Sequence, residues 1–188
     1  AYSFRLLRDG RRQILAFHLP GDAVNANGLF GTPSGASVRS LTAVTATPVD
    51  GAAWTRLAHE QPELARHLAW ELGRAPTLTE HIVSLGRRDA RERLAYLLVI
   101  LWRRLSLVGL TREWVFDLPV KQEHLADHLG LSVVHVSRVL GQLRRDGLVR
   151  VERGIAAILD PARLTEIAEL SPDDAAGAAT AEPQMALT

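Results

Sequence analysis

Three residues at fixed spacing, Ala126, Gly130 and Val136, constrain this chain more than any other feature. They lie in KQEHLADHLGLSVVHVSRVLGQLRRDGLVRVERG, residues 121–154. The pattern predicts one short helix from Gln122 to Leu129, ending at Gly130, and a second from about Val133 to Asp146, beginning after Ser132. Ala126 lets two helix backbones approach closely. Gly130 can take the positive φ that a tight turn demands. Val136 packs the second helix back on the first. Beyond them, Leu148-Val-Arg-Val151 and Ile155-Ala-Ala-Ile-Leu159 predict two short strands around Arg153-Gly154. Two helices at a tight turn, followed by a strand pair, predict a helix-turn-helix with a wing.

The second helix has two unlike faces. At about 100° per residue, Val136, Val139, Leu140 and Leu143 fall together. Val134, Arg138, Gly141 and Arg145 fall opposite, flanked by His135 and Gln142. The apolar face needs the rest of a domain, and the other face offers donors to a groove of duplex DNA. Arg138 is placed to read a guanine edge. Ser137 and the backbone amides opening the helix at Ser132 and Val133 suit phosphate oxygens. Arg145, Arg150 and Arg153 can follow the DNA backbone.

From Ser132 to Arg150, four arginines face one acid, Asp146, a local excess of three positive charges. That excess matters because the 188-residue chain has a net charge of only +1, so any nucleic-acid surface must be local. Lys121 is the only lysine, and arginine is the better side chain for bidentate contacts to phosphate and guanine. There are no cysteines, which excludes disulfides, thiolate zinc and ordinary iron–sulfur ligation. No cofactor is expected, and the absence of cysteine is compatible with a reducing cytoplasm. The longest apolar run, Leu94 to Trp102, is too short to span a bilayer, so no membrane association is expected.

Upstream, Tyr2–Leu7 and Gln13–Leu19 predict a hairpin around Asp9-Gly10. Leu19-Pro20-Gly21-Asp22 is a turn, Asn25 to Gly35 a loop, and Val38 to Val49 one or two strands. Residues 51–108 read as helical. Leu57, Leu64, Leu68 and Leu72 form one stripe, and Leu78, Ile82 and Leu85 another. Leu94, Leu98, Leu101, Leu105 and Val108 form a third. Pro76 should kink or restart the helix. A last helix starts near Pro161 with Leu164, Ile167 and Leu170. Residues 171–188 lack apolar periodicity and are expected to be disordered.

With these segments in view, the chain resembles the Crp/Fnr family of bacterial transcription regulators. RDGRRQILAFHLPGDAV, LGRRDARERLAYLLVILWRRL and LPVKQEHLADHLGLSVVHVSRVLGQLRRDGLV carry the resemblance. It implies an α+β fold: a partial β-roll sensor domain (1–53), a helical region with a long dimerisation helix (54–108), a winged helix-turn-helix (109–170) and a tail (171–188). The chain would then begin inside the β-roll. The resemblance also implies a homodimer on a two-fold symmetric DNA site, contact with RNA polymerase, and a cytoplasmic location. Leu78, Ile82 and Leu85 are candidates for the dimer seam.

Departures from the family pattern sharpen these expectations. Cyclic-AMP-binding members carry a Gly-Glu pair and an Arg-Ser pair, and the aligned positions here are Asn25-Ala26 and Ala36-Ser37. Ala26 cannot accept a ribose hydroxyl, and Ala36 leaves a buried phosphate uncompensated. The nearby Arg39 is a weak substitute. Cyclic AMP is therefore not the expected effector, and the effector is left open. Val134 stands where many members place a Glu that holds the arginine matching Arg138. It can touch a thymine methyl but accepts no hydrogen bond. Lys121 stands where a Ser or Thr often caps the first helix, and can reach a phosphate instead.

Two rivals remain. One is a winged-helix interaction module that does not bind DNA, supported by the near-neutral charge and Val134. The other is a metalloenzyme using His124 and His128, whose spacing can chelate a metal on a helix. The plainer reading of that pair is two exposed polar residues. His18 reads as a packed core residue. Trp54, Trp70, Trp102 and Trp114 read as core or dimer-interface residues.

Overall fold

The computed structural model describes residues 1–25, 28, 34–63, 66 and 78–170, with the backbone alone at 78–81. The expectations for Ala26, Leu64, Leu68, Trp70, Leu72, Pro76, the Leu78 side chain and residues 171–188 lie outside the described residues. The chain divides into two compact units, 1–86 and 87–188.

In the first unit, β1 (Tyr2–Leu6) and β2 (Arg12–Phe17) form the expected hairpin, and β3 (Ser37–Arg39) pairs with the other edge of β1. All pairings are antiparallel, with Tyr2 opposite Phe17 and Leu6 opposite Arg12. Tyr2, Phe4, Ile14 and Phe17 are buried on one face. Gly10 takes φ +84°, which closes the turn, while Asp9 accepts from the Arg11 backbone N–H at 3.0 Å and its side chain at 2.7 Å. Residues 40–50 are not a strand, contrary to the expectation for Val38 to Val49. Val44 and Val49 are exposed there, and β-branched residues form strands only where a partner and a buried face exist. His18 lies just past β2, with Nδ1 3.9 Å from Asp22 Oδ2. Two helices complete the unit's described part, α1 (Gly51–Glu60), capped by Asp50, and α2 (Leu78–Arg87).

The second unit begins with α3 (Ala90–Leu107). Asp89 caps it, accepting from the Arg91 and Glu92 N–H groups, and Glu92 Oε2 accepts the Asp89 N–H at 2.7 Å. This reciprocal capping box starts a new helix at Asp89. The capping box separates α3 from α2, which ends at Arg87. The leucine stripe of α3 is buried, with Leu94, Leu98, Leu101 and Leu105 inside. It packs on three later helices and two strands of its own unit: α4 (Gln122–Leu129), α5 (Val133–Arg145), α6 (Pro161–Ile167), β4 (Thr111–Arg112) and β5 (Val115–Asp117). Helix α3 thus buries its apolar face within the C-terminal unit, 87–188. Two further strands, β6 (Val149–Glu152) and β7 (Ile155–Ile158), complete an antiparallel sheet of order β4-β5-β7-β6. Trp102 stacks on Trp114 at 3.8 Å between ring centroids, and its indole N–H donates to the Glu113 carbonyl at 2.8 Å.

Candidate nucleic-acid interface

The first helix of the motif, α4, starts at Lys121, whose backbone is extended (φ −83°, ψ 162°) as a helix entry requires. A lysine has no oxygen to offer the first-turn amides. His124 supplies the reciprocal half of the cap: its Nδ1 accepts the Lys121 N–H at 3.1 Å. An imidazole accepting at Nδ1 is neutral, with its proton on Nε2. This corrects the reading of His124 as an exposed polar residue, since it is 9% exposed and packs beside Leu125 and Ala126. His128 is half-buried. Among the described residues no group of three or more His, Cys, Asp or Glu is arranged to hold a metal.

Ala126 is buried where α4 meets α5, and its carbonyl accepts from Gly130 and from Leu131, the latter at 3.0 Å. Gly130 adopts φ 66°, ψ 35°, the left-handed conformation that a Cβ would penalise. Two residues on, Ser132 is extended again and its hydroxyl accepts the His135 N–H at 3.2 Å. Ser132 is therefore the N-cap of α5, and that hydroxyl keeps only its proton for a phosphate.

Helix α5 has the two faces expected. Val136, Val139 and Leu143 are buried, and Leu140 is half-buried at their margin. Val133, Val134, Ser137, Arg138, Arg144 and Arg145 are exposed, Val134 at 70%. His135 and Gln142 are half-buried on the flanks. Gly141 leaves open space on the polar face, where an added Cβ would meet only the end of the Arg145 side chain, at 3.5 Å. The helix ends at Asp146, whose carboxylate is held by Arg91 Nη2 at 2.6 Å. The one acid among the four arginines thus already has a cationic partner on α3.

After Gly147 the chain enters the wing. Glu152 pairs with Ile155 across a two-residue turn, and Arg153 and Gly154 both have positive φ, 52° and 78°. Tight hairpins favour such turns because their twist matches the strands. The Gly154 carbonyl accepts the Leu118 N–H at 2.8 Å, which ties the wing tip to the segment entering α4. Arg150 and Arg153 are exposed. Lys121 is exposed too, its Nζ 3.8 Å from Glu123 Oε1. One unit thus carries every residue expected to touch DNA. The strands β4 and β5, which complete the wing's sheet, were missed by the sequence reading: they are two and three residues long, with no alternation to detect.

In the first unit, Ala36 is half-buried and offers no cation. The Arg39 guanidinium sits 5.9 Å from the Phe4 ring centroid, an engagement that competes with any role toward an anion. Among the described residues no helix is long and apolar enough to cross a membrane.

Residues 92–167 match the family model of the Crp-like helix-turn-helix domain. The chain is 37% identical over 169 residues to the nitrogen fixation regulation protein FixK of Bradyrhizobium diazoefficiens, covering 88% of this chain and 69% of that one. It is 32% identical over 165 residues to the transcriptional activator protein FnrL of Cereibacter sphaeroides, covering 85% and 66%. Among solved structures it is similar to FixK2 of Bradyrhizobium japonicum, with 30% identity and a TM-score of 0.65, covering 90% of this chain and 83% of that one.

Proposed function

The chain belongs to the Crp/Fnr family and is a DNA-binding transcription regulator, and from that premise we propose that it reads a two-fold symmetric site as a homodimer. In this reading α5 enters the major groove. Arg138 contacts a guanine edge, and Val134 meets a thymine methyl where other members present a carboxylate. Ser137 and the Ser132–Val133 backbone take phosphates, flanked by His135 and Gln142. Arg145 and Arg153 follow the DNA backbone on either side, and Lys121 adds a phosphate contact. The observation that carries the proposal is the exposed Arg138 face of α5, set opposite the buried Val136, Val139 and Leu143, with its one acid held by Arg91.

Contact with RNA polymerase and a cytoplasmic location belong to the same proposal. The proposal leaves the effector open and does not assign cyclic AMP, because Ala36 brings no cation and the Arg39 guanidinium lies over the Phe4 ring.

Selection of bound duplexes from a random pool tests this reading. The expected products carry inverted half-sites about 34 Å apart, one DNA turn. On a selected duplex, Arg138→Ala should lower specific affinity by roughly 1–3 kcal/mol and leave non-specific binding almost unchanged. Equal loss on selected and random DNA removes the base-reading role. A flat dependence of affinity on salt would favour the interaction-module alternative.

A further inference from the structure

Two arginines in the first turns of α3 reach the turn before the recognition helix and the residue that ends it. Arg93 is half-buried and forks: Nε donates to the Arg88 carbonyl at 2.8 Å, and Nη1 donates to the Leu129 carbonyl at 3.0 Å. Leu129 is the last residue of α4, one before the left-handed Gly130 and three before the cap of α5. Its carbonyl is one of the helix-end acceptors that lack a partner within the helix. Arg91, two residues earlier, holds the carboxylate of Asp146, the residue that ends α5. The turn before the recognition helix and the residue after it are therefore both fastened to one rigid start, the helix that Asp89 and Glu92 cap.

We propose that Arg91 and Arg93 are positioning residues that fasten the turn before the recognition helix and the residue after it, a clamp that sets its pitch in the groove. The inference rests on the DNA-binding reading, but neither residue is assigned a contact to DNA. Apolar packing of Val136, Val139 and Leu143 fixes how deep α5 sits, yet it is non-directional and tolerates rotation about the helix axis. Hydrogen bonds and ion pairs at both ends remove that freedom. Arg93 also ties the turn to Arg88, the residue before the α3 cap, so strain there reaches the reading helix through one guanidinium. Lysine keeps the charge but not the planar fork.

The test uses the full chain, a duplex selected from the random pool and a scrambled duplex of equal length. Arg93→Lys and Arg91→Ala should each lower the ratio of specific to non-specific affinity about tenfold, with the melting temperature nearly unchanged. The double variant Arg91→Ala, Asp146→Ala should be no worse than Arg91→Ala alone, because the two side chains act as one pair. An unchanged ratio in both single variants, or a double variant showing the full product of two separate losses, overturns the clamp. Hydrogen exchange without DNA gives a second readout that does not depend on the DNA-binding reading. Exchange should quicken at 130–133 and at 147 while the α3 core stays protected. Uniform change along the chain, or none, also overturns the clamp. If the unsubstituted protein prefers no duplex, the functional reading fails, and the exchange pattern alone decides the clamp.

Discussion

Lys121 occupies an N-cap geometry without a capping side chain, and this one residue shows how stability and function compete at the interface. Its backbone already has the extended conformation that a serine cap uses. Lys121→Ser should therefore stabilise the protein by about 1 kcal/mol, measured by denaturant unfolding. The same change removes an exposed cation, so DNA affinity should fall by a similar factor on specific and random duplexes, with a shallower salt slope. A loss confined to the specific duplex would mean that Lys121 reads bases. At this scale the sequence was legible where geometry allows one residue type. Gly130 could be assigned because only a residue without Cβ enters the left-handed region cheaply. His124 was misread because a histidine in a polar run gives no sign that its ring will be turned inward to accept a backbone N–H.

Among the elements, α5 carries a glycine that its own packing does not require. Gly141 stands in the helix interior, where glycine costs about 0.5–1 kcal/mol relative to alanine. No steric need keeps it, since a Cβ there would touch only the movable end of Arg145. Gly141→Ala should raise the melting temperature and still weaken DNA binding, because the added methyl stands on the face that meets the duplex. Higher stability with unchanged affinity would show that the groove does not approach Gly141. The helices of the motif were legible because their apolar periodicity persists over several turns. The capping box from Asp89 to Glu92 was equally present in the letters, and it falls between the stripe ending at Leu85 and the one starting at Leu94. Strands β4 and β5 could not be read, since their pairing is settled by the sheet they join and not by their own composition.

For the whole molecule, the division at 86/87 gives the C-terminal unit its own core, from Leu94 on α3 to Leu164 on α6. Residues 87–170 expressed alone should melt cooperatively in calorimetry and bind a half-site. Their affinity for the full symmetric site should fall by about 10²–10⁴, the gain that linking two binding modules provides. Retention of full affinity would show that dimerisation lies inside this unit. An apolar stripe shows that a helix is buried but not against which partner, so the partners of α3 were not legible in the sequence.

The pairing of Asp146 with Arg91 has a kinetic consequence. The segment from Ser132 to Arg150 holds three of the chain's excess positive charges, and the chain's total is +1, so the remainder carries a net charge of −2. Beyond about 8 Å physiological salt hides most of this asymmetry. Within that distance, in the proposed reading, a duplex is drawn to this segment. Most collisions that approach from elsewhere separate unproductively, and those that persist already have α5 facing the DNA. The charge distribution therefore selects orientation before any base is read, and a faster search follows without a strongly basic protein.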